Sequence, residues 1–278
     1  MSKDLIFQTT IKNEFQYKGA ALHSGKETSI RCLPLEADVG IVFRRTDFKA
    51  YPIKACPQNV RSTIRCTSIG MGDSGNVVHG IEHLLSAFSM LGIDNVLVEI
   101  DGDEVPVGDG SALLFINRIK ECGTLKLDKP ANIVKIASPL FTKDKDMVLI
   151  ALPCKQFRIS YTLSYNHPYV GTQFGDFVLG GENALKEIAP ARTFGFEEEL
   201  DELKNKGLAL GGSLESVVFI TKDGPVNELR FHDELVRHKV LDMVGDLYLN
   251  GRVEGHFIGI KSGHTTNVEM TRLILGGE

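Results

Sequence analysis

Residues 78–92 read Val78-His79-Gly80-Ile81-Glu82-His83-Leu84-Leu85-Ser86-Ala87-Phe88-Ser89-Met90-Leu91-Gly92. Their apolar side chains fall at Val78, Ile81, Leu84, Leu85, Phe88 and Leu91, the three- and four-residue spacing of an amphipathic helix, and Gly92 is a stop signal. Working outward, the preceding segments around 28–33 and 40–44 alternate apolar and polar residues, which predicts half-buried strands, and the change of period follows Asp73-Ser74-Gly75-Asn76. A strand over 96–100 and a polar turn at 101–103 come next. After Asp109-Gly110-Ser111 a second helix carries Leu114, Phe115, Ile116 and Ile119 and ends at Gly123.

The same order recurs further on. Strands over 148–151 and 157–161 precede a helix that starts near Asp233, runs through Leu235, Val236, Val240, Leu241, Val244 and Leu247, and stops at Gly251. A strand over 256–260, a turn at Ser262-Gly263-His264 and a last helix beginning near Asn267 complete a repeat offset by roughly 155 residues. The expectation is an α+β protein of two similar domains, 1–126 and 127–278, with the boundary in the polar stretch 123–130 that carries both Gly and Pro.

Composition narrows the function classes. Of 278 residues 42% are hydrophobic and 24% charged, which excludes a disordered chain. The 31 basic and 36 acidic residues are interleaved, net −5, so no basic footprint for nucleic acid exists. The apolar run in residues 1–8 is short and interrupted by Asp4, so export is not expected, and no stretch reaches the roughly 18 apolar residues of a membrane span. Five cysteines without a CxxC pair read as reduced cytosolic thiols.

Four strings carry chemistry. His79-Gly80-Ile81-Glu82-His83 matches HxxEH, with His79 and His83 four apart on one helical face, a spacing of inverted zinc peptidases and equally of two ordinary histidines. His238 and Asp242 stand at i,i+4 with Asp246 on the same stripe, a chelating geometry that also fits a solvated His–Asp pair. His264 follows a glycine hinge and suits acid–base work, or a cap. Thr193 offers a hydroxyl and Phe194 an aromatic platform, followed by the glycine-rich 207–213 loop that contains Gly211. That loop has neither GxxxxGK[ST] nor GxGxxG, so nucleotide-triphosphate and dinucleotide sites lack support.

Six ordered strings together resemble one family, the UDP-3-O-acyl-N-acetylglucosamine deacetylases, zinc amidases of lipid A biosynthesis. They are Ala21-Leu22-His23-Ser24-Gly25, Ile81-Glu82-His83-Leu84-Leu85, Glu104-Val105-Pro106 with Asp109-Gly110-Ser111-Ala112, Ala191-Arg192-Thr193-Phe194, His238-Lys239-Val240-Leu241-Asp242 with Gly245-Asp246-Leu247, and Ser262-Gly263-His264 with Asn267. The resemblance implies that His83, His238 and Asp242 bind zinc, with Glu82 as base and His264 as acid or cation aided by Asp246. It implies two pseudo-repeated domains of mixed sheet, with helices sandwiched between the sheets and the site between the domains. Lys239 and His23 would contact the sugar diphosphate and Phe194 the sugar. The 193–215 insert, with Leu203, Leu210 and Gly211, would line a passage for the acyl chain, and the Thr193 hydroxyl would meet the oxyanion.

His and carboxylate ligands suit iron(II) as well as zinc. A cytoplasmic monomer that touches the membrane transiently is expected, its substrate being an amphiphilic UDP-sugar. Gly80 departs from the small hydroxyl residue the family commonly has there. Two other readings stay open: an HxxEH peptidase using His79 and His83, and a binding module whose zinc is closed by four protein ligands.

Overall fold

The computed structural model describes residues 5–49, 51–72 and 75–276. The readings at residues 1–4 and 73–74 lie outside these.

Helices form where the apolar spacing predicts them, with shifted ends. Helix α1 spans Glu82–Leu91 and does not reach back to Val78. Val77–Val78 pairs as a strand with Ser68–Gly70, and Gly80 sits at φ +67°, a left-handed conformation that a helix does not continue through. The sequence reading that put His79 and His83 on one helical face is therefore corrected: His79 lies outside the helix. Helix α2 (Leu113–Cys122) ends at Gly123 as predicted, while α3 (Gly181–Glu187) and α4 (Glu197–Asn205) occupy the later insert. Helix α5 (Glu234–Leu247) is buried along most of its length, and its apolar core residues contribute about 1.5–3 kcal/mol each in transfer free energy. Helix α6 (His264–Gly276) starts at His264, three residues before Asn267. The Thr266 hydroxyl accepts the Gly263 N–H at 3.1 Å, so the glycine hinge becomes the N-cap.

Two five-strand sheet paths repeat one topology. In the first, Val96–Asp101 is central, antiparallel to Glu27–Pro34 and parallel to Ile41–Arg45, with Phe15–Ala20 and Ile53–Lys54 at the edges. In the second, Arg252–Ile260 is central, antiparallel to Met147–Leu152 and parallel to Phe157–Ser164, with Leu140–Asp144 and Thr172–Val178 outside. Ile133–Lys135 adds a parallel sixth strand on Arg252–Ile260. In each half one helix precedes the central strand (α1, α5) and one follows it (α2, α6). Sequence repetition and sheet register agree, and the fold is α+β with mixed sheets.

Each half also inserts a small three-stranded sheet before its main helix. The first comprises Val60–Ser62, Ser68–Gly70 and Val77–Val78, the second Phe194–Phe196, Val218–Thr221 and Gly224–Pro225. The polar stretch expected to hold the domain boundary contains an exposed strand, Thr124–Pro130, paired antiparallel with Phe7–Ile11. Its polar residues belong to a solvated surface strand.

The two halves meet helix to helix. Helix α2 packs on Phe15–Ala20, α5 on Phe157–Ser164, and α1 on α5, which places helices between the sheets. Helices α1 and α5 come together at Gly245, where an added Cβ would lie 2.0 Å from the Glu82 carbonyl oxygen. Both contacting groups are backbone, so the helices would have to part. Gly245→Ala is expected to destabilise the protein by about 1–3 kcal/mol and to weaken metal binding in parallel. Thermal melts and metal titration check this, and a variant with unchanged metal affinity would show that the spacing of α1 and α5 does not set the site.

Candidate active site

Three side chains from these two helices converge. His83, in the first turn of α1, and His238 and Asp242, on one face of α5, offer donor atoms that all lie within 4.8 Å of one another. His83 Nε2 is 3.5 Å and His238 Nε2 3.2 Å from Asp242 Oδ1, and the rings stand edge to face with centroids 5.0 Å apart. His238 Nδ1 donates to the Ala191 carbonyl at 3.1 Å, which fixes the tautomer that turns Nε2 toward the other donors. Burial drops His238 to about 4, leaving it neutral near pH 7. Burial opposes charge on Asp242, yet His238, Lys239 and His83 hold it well below the usual carboxylate range. Two imidazoles and one ionised carboxylate fit a borderline divalent ion, zinc or iron(II). Burial opposes the charge on His83 but Asp242 raises it, so ion and proton compete there.

A carboxylate and a second imidazole adjoin this trio. Glu82 is 5% exposed and its Oε2 accepts the Thr67 N–H at 3.0 Å, while Oε1 lies 4.0 Å from His264 Nε2. Burial pushes Glu82 above the ordinary carboxylate value, the direction a proton acceptor near neutrality needs. His264 Nδ1 donates to Asp246 Oδ2 at 2.8 Å, and Asn267 Nδ2 donates to the same oxygen at 2.9 Å. Burial disfavours the His264 charge, but the Asp246 carboxylate more than offsets this and, with Glu82, raises the ring to about 9. It is a charged imidazole at pH 7.

A cleft of about 420 Å³ opens over these groups, lined also by His23, Thr193, Phe194, Leu203 and Lys239. Thr193 is fixed through its backbone, its N–H on the Gly110 carbonyl at 2.8 Å. Phe194 stands edge to face with Tyr165, Phe196 and His238. Lys239 Nζ donates to Asp242 Oδ2 at 2.6 Å, neutralising the oxygen that faces away from the imidazoles. Asp246 is fully buried beneath His264 and does not line the cleft. Leu210 and Gly211 also stand outside its lining. Leu210 is 53% exposed, and both residues bond to the N-terminal half through backbone N–H groups, to His23 O at 3.1 Å and Leu22 O at 3.0 Å. Gly211 has no room for a side chain there, since an added Cβ would lie 2.0 Å from the Ala21 carbonyl oxygen.

His79 is not in the donor group; its Nδ1 pairs with Ser68 Oγ at 2.8 Å, so the HxxEH pair does not form. Sequence reasoning missed Thr67, and Arg65 and Glu199, which form a 2.9 Å ion pair at the cleft. It also missed Glu234, whose buried carboxylate takes the Arg192 N–H at 3.0 Å and its Nε at 2.9 Å. Arg192 belongs to the Ala191–Phe194 motif, and a charged residue flanked by Ala191 and Thr193 was the available signal.

A metal-donor trio from two helices, beside a buried carboxylate and a charged imidazole in an open cleft, is the site of a metal-dependent hydrolase. Comparison with known proteins makes this specific. A family profile described as UDP-3-O-acyl N-acetylglycosamine deacetylase (LpxC) matches residues 8–276. Proteins named UDP-3-O-acyl-N-acetylglucosamine deacetylase are similar along nearly the whole chain. That of Chlamydia felis is 41% identical over 272 residues, 96% of each chain. That of Thermodesulfovibrio yellowstonii is 40% identical over 271 residues, 97% of this chain and 92% of its own. That of Citrifermentans bemidjiense is 42% identical over 275 residues, 98% of this chain and 90% of its own. The chain belongs to the UDP-3-O-acyl N-acetylglycosamine deacetylase family, a family of metal-dependent amidases. The peptidase reading is not favoured.

Proposed function

We propose that the chain hydrolyses the N-acetyl amide of UDP-3-O-acyl-N-acetylglucosamine, releasing acetate in lipid A biosynthesis, with zinc held by His83, His238 and Asp242. The observation that carries this is the convergence of those three donors beside Glu82 and His264 in a chain of the deacetylase family. When bound, zinc supplies a Lewis acid able to lower the pKa of water from about 15.7 to about 7. Iron(II) would fit the same donors.

Glu82 takes a proton from the attacking water as its oxygen adds to the acetamide carbonyl carbon. Its second oxygen stays anchored on the Thr67 N–H. The Thr193 hydroxyl donates to the developing oxyanion. The C–N bond then breaks as His264 gives its proton to the amine nitrogen, leaving acetate and the free glucosamine amine. Asp246 keeps His264 charged for that step. Lys239 and His23 are assigned to the diphosphate, Phe194 to the sugar ring and Leu203 to the acyl chain, supported by their shared place on the cleft.

The same reading takes 1–126 and 127–278 as the domains of a cytoplasmic monomer that meets its amphiphilic substrate at the membrane surface. No helix among the described residues is long and apolar enough to cross a membrane.

Acetate release from a UDP-3-O-acyl-N-acetylglucosamine, followed across pH, tests the proposal. His264 must be charged, so turnover should hold below its pKa and fall as pH rises through about 9. Asp246→Asn removes the neighbouring negative charge, and the basic limb should move down by about 1–3 units. No acetate release refutes the function; an unmoved limb refutes His264 as the acid.

A further inference from the structure

Thr67 touches both the base and the acid pair. It lies at the edge of the small sheet inserted before α1, fully buried. Its backbone brackets the start of that helix: the carbonyl accepts the Ile81 N–H at 3.3 Å, and its N–H donates to Glu82 Oε2 at 3.0 Å. Its hydroxyl reaches into the other half of the molecule. Oγ1 donates to Asp246 Oδ1 at 2.5 Å and lies 3.3 Å from His264 Nδ1.

The consequences follow from counting partners. Asp246 is 0% exposed, and its Oδ2 is already taken by His264 and Asn267. Thr67 supplies the side-chain donor to Oδ1. With that hydroxyl gone, a buried carboxylate oxygen is left without its side-chain donor, and the carboxylate loses the tie that fixes its rotation from the Oδ1 side. His264 would follow, because Asp246 aims its ring. A second tie joins the insert to the start of α6, the Thr63 and Thr265 hydroxyls standing 3.0 Å apart.

We propose that Thr67 is a positioning residue for the hydrolysis, its backbone N–H aiming Glu82 and its hydroxyl aiming the Asp246–His264 pair. One rigid residue thereby sets the proton acceptor on α1 in register with the proton donor on α6. The insert of 60–78 acquires a purpose: it spans the two halves at the reaction centre. This inference rests on the roles given above to Glu82 and His264.

The test compares Thr67→Ser with Thr67→Ala in the metal-loaded enzyme. Both lose the methyl group, and only serine keeps the hydroxyl. Thr67→Ala should lower kcat about 10- to 100-fold, the size of one hydrogen bond to a charged group. KM and metal content should stay within about twofold and Thr67→Ser within about threefold of the parent kcat, far less than the roughly tenfold that such a bond is worth. In a His264→Ala background the Thr67→Ala change should cost almost nothing more, because its route to the chemistry is gone.

The proposal is overturned if Thr67→Ala keeps parental kcat, if Thr67→Ser falls as far as Thr67→Ala, or if the losses from Thr67→Ala and His264→Ala multiply. It is overturned equally if Thr67→Ala fails to fold while Thr67→Ser folds, which would make the hydroxyl a stability element. Asp246→Asn separates the two levels. Parental turnover in Asp246→Asn removes the acid assignment itself; slow Asp246→Asn with fast Thr67→Ala removes only Thr67.

Discussion

Glu82→Gln should lower turnover by about 10²–10⁴-fold, equivalent to about 2.7–5.4 kcal/mol of transition-state stabilisation. The glutamine is nearly isosteric, and its carbonyl oxygen can still accept the Thr67 N–H that now fixes Glu82 Oε2. What it lacks is an oxygen able to take a proton, 4.0 Å from His264 Nε2. The donors His83, His238 and Asp242 are untouched, so metal content and KM should change little. Steady-state kinetics at matched metal content decides the matter. Turnover within a few-fold of the parent would mean that another group accepts the proton, and the assignment of the base would fall.

The second large effect lies behind the site. Glu234→Ala should destabilise the protein by about 3–5 kcal/mol, the cost of leaving a buried charge without its partner. Glu234 is fully buried, and its carboxylate accepts four N–H groups: three from Arg192, at 3.0, 2.9 and 3.1 Å, and the backbone N–H of Arg230 at 2.6 Å. Burial opposes this charge, but the Arg192 contacts hold the carboxyl below its ordinary value. The clamp fixes the segment whose Ala191 carbonyl aims His238 and whose next residue is Thr193. Loss of the clamp should therefore weaken metal binding as well as stability. The double replacement Arg192→Met with Glu234→Met removes both charges and should recover most of the stability. Chemical denaturation of the three variants checks this; a Glu234→Ala protein as stable as the parent would show the pair to be incidental.

Much of this was legible because the signals are local. The 3.6-residue period of α1 and α5 and the alternation of the sheet strands follow from which face must be buried. The His238 and Asp242 pair follows from i,i+4 spacing. The repeat then set the two halves in parallel. Other features depend on groups that meet only in three dimensions. His83 joins Asp242 across 159 positions, and no spacing rule reaches that far; it came from resemblance to a family. Gly80 adopts a positive φ, and that single backbone choice moves His79 off the helix. Residues 124–130 gave no strand signal because their strand is solvated and its partner lies some 120 positions earlier. Thr67 gave no signal and Glu234 only an indirect one through Arg192, since a buried threonine and a buried glutamate reveal their roles through the partners they meet, Asp246 and Arg192.

Titration of metal-stripped protein with zinc bears most directly on the proposed centre. The parent should bind one ion per chain tightly. His83→Ala, His238→Ala and Asp242→Ala should each weaken binding by more than about 100-fold, since even an outer hydrogen-bond partner of a ligand is worth about 10–100-fold, and His79→Ala should bind as the parent does. Parental affinity in any of the first three, or loss of the ion in His79→Ala, would contradict the centre drawn from α1 and α5.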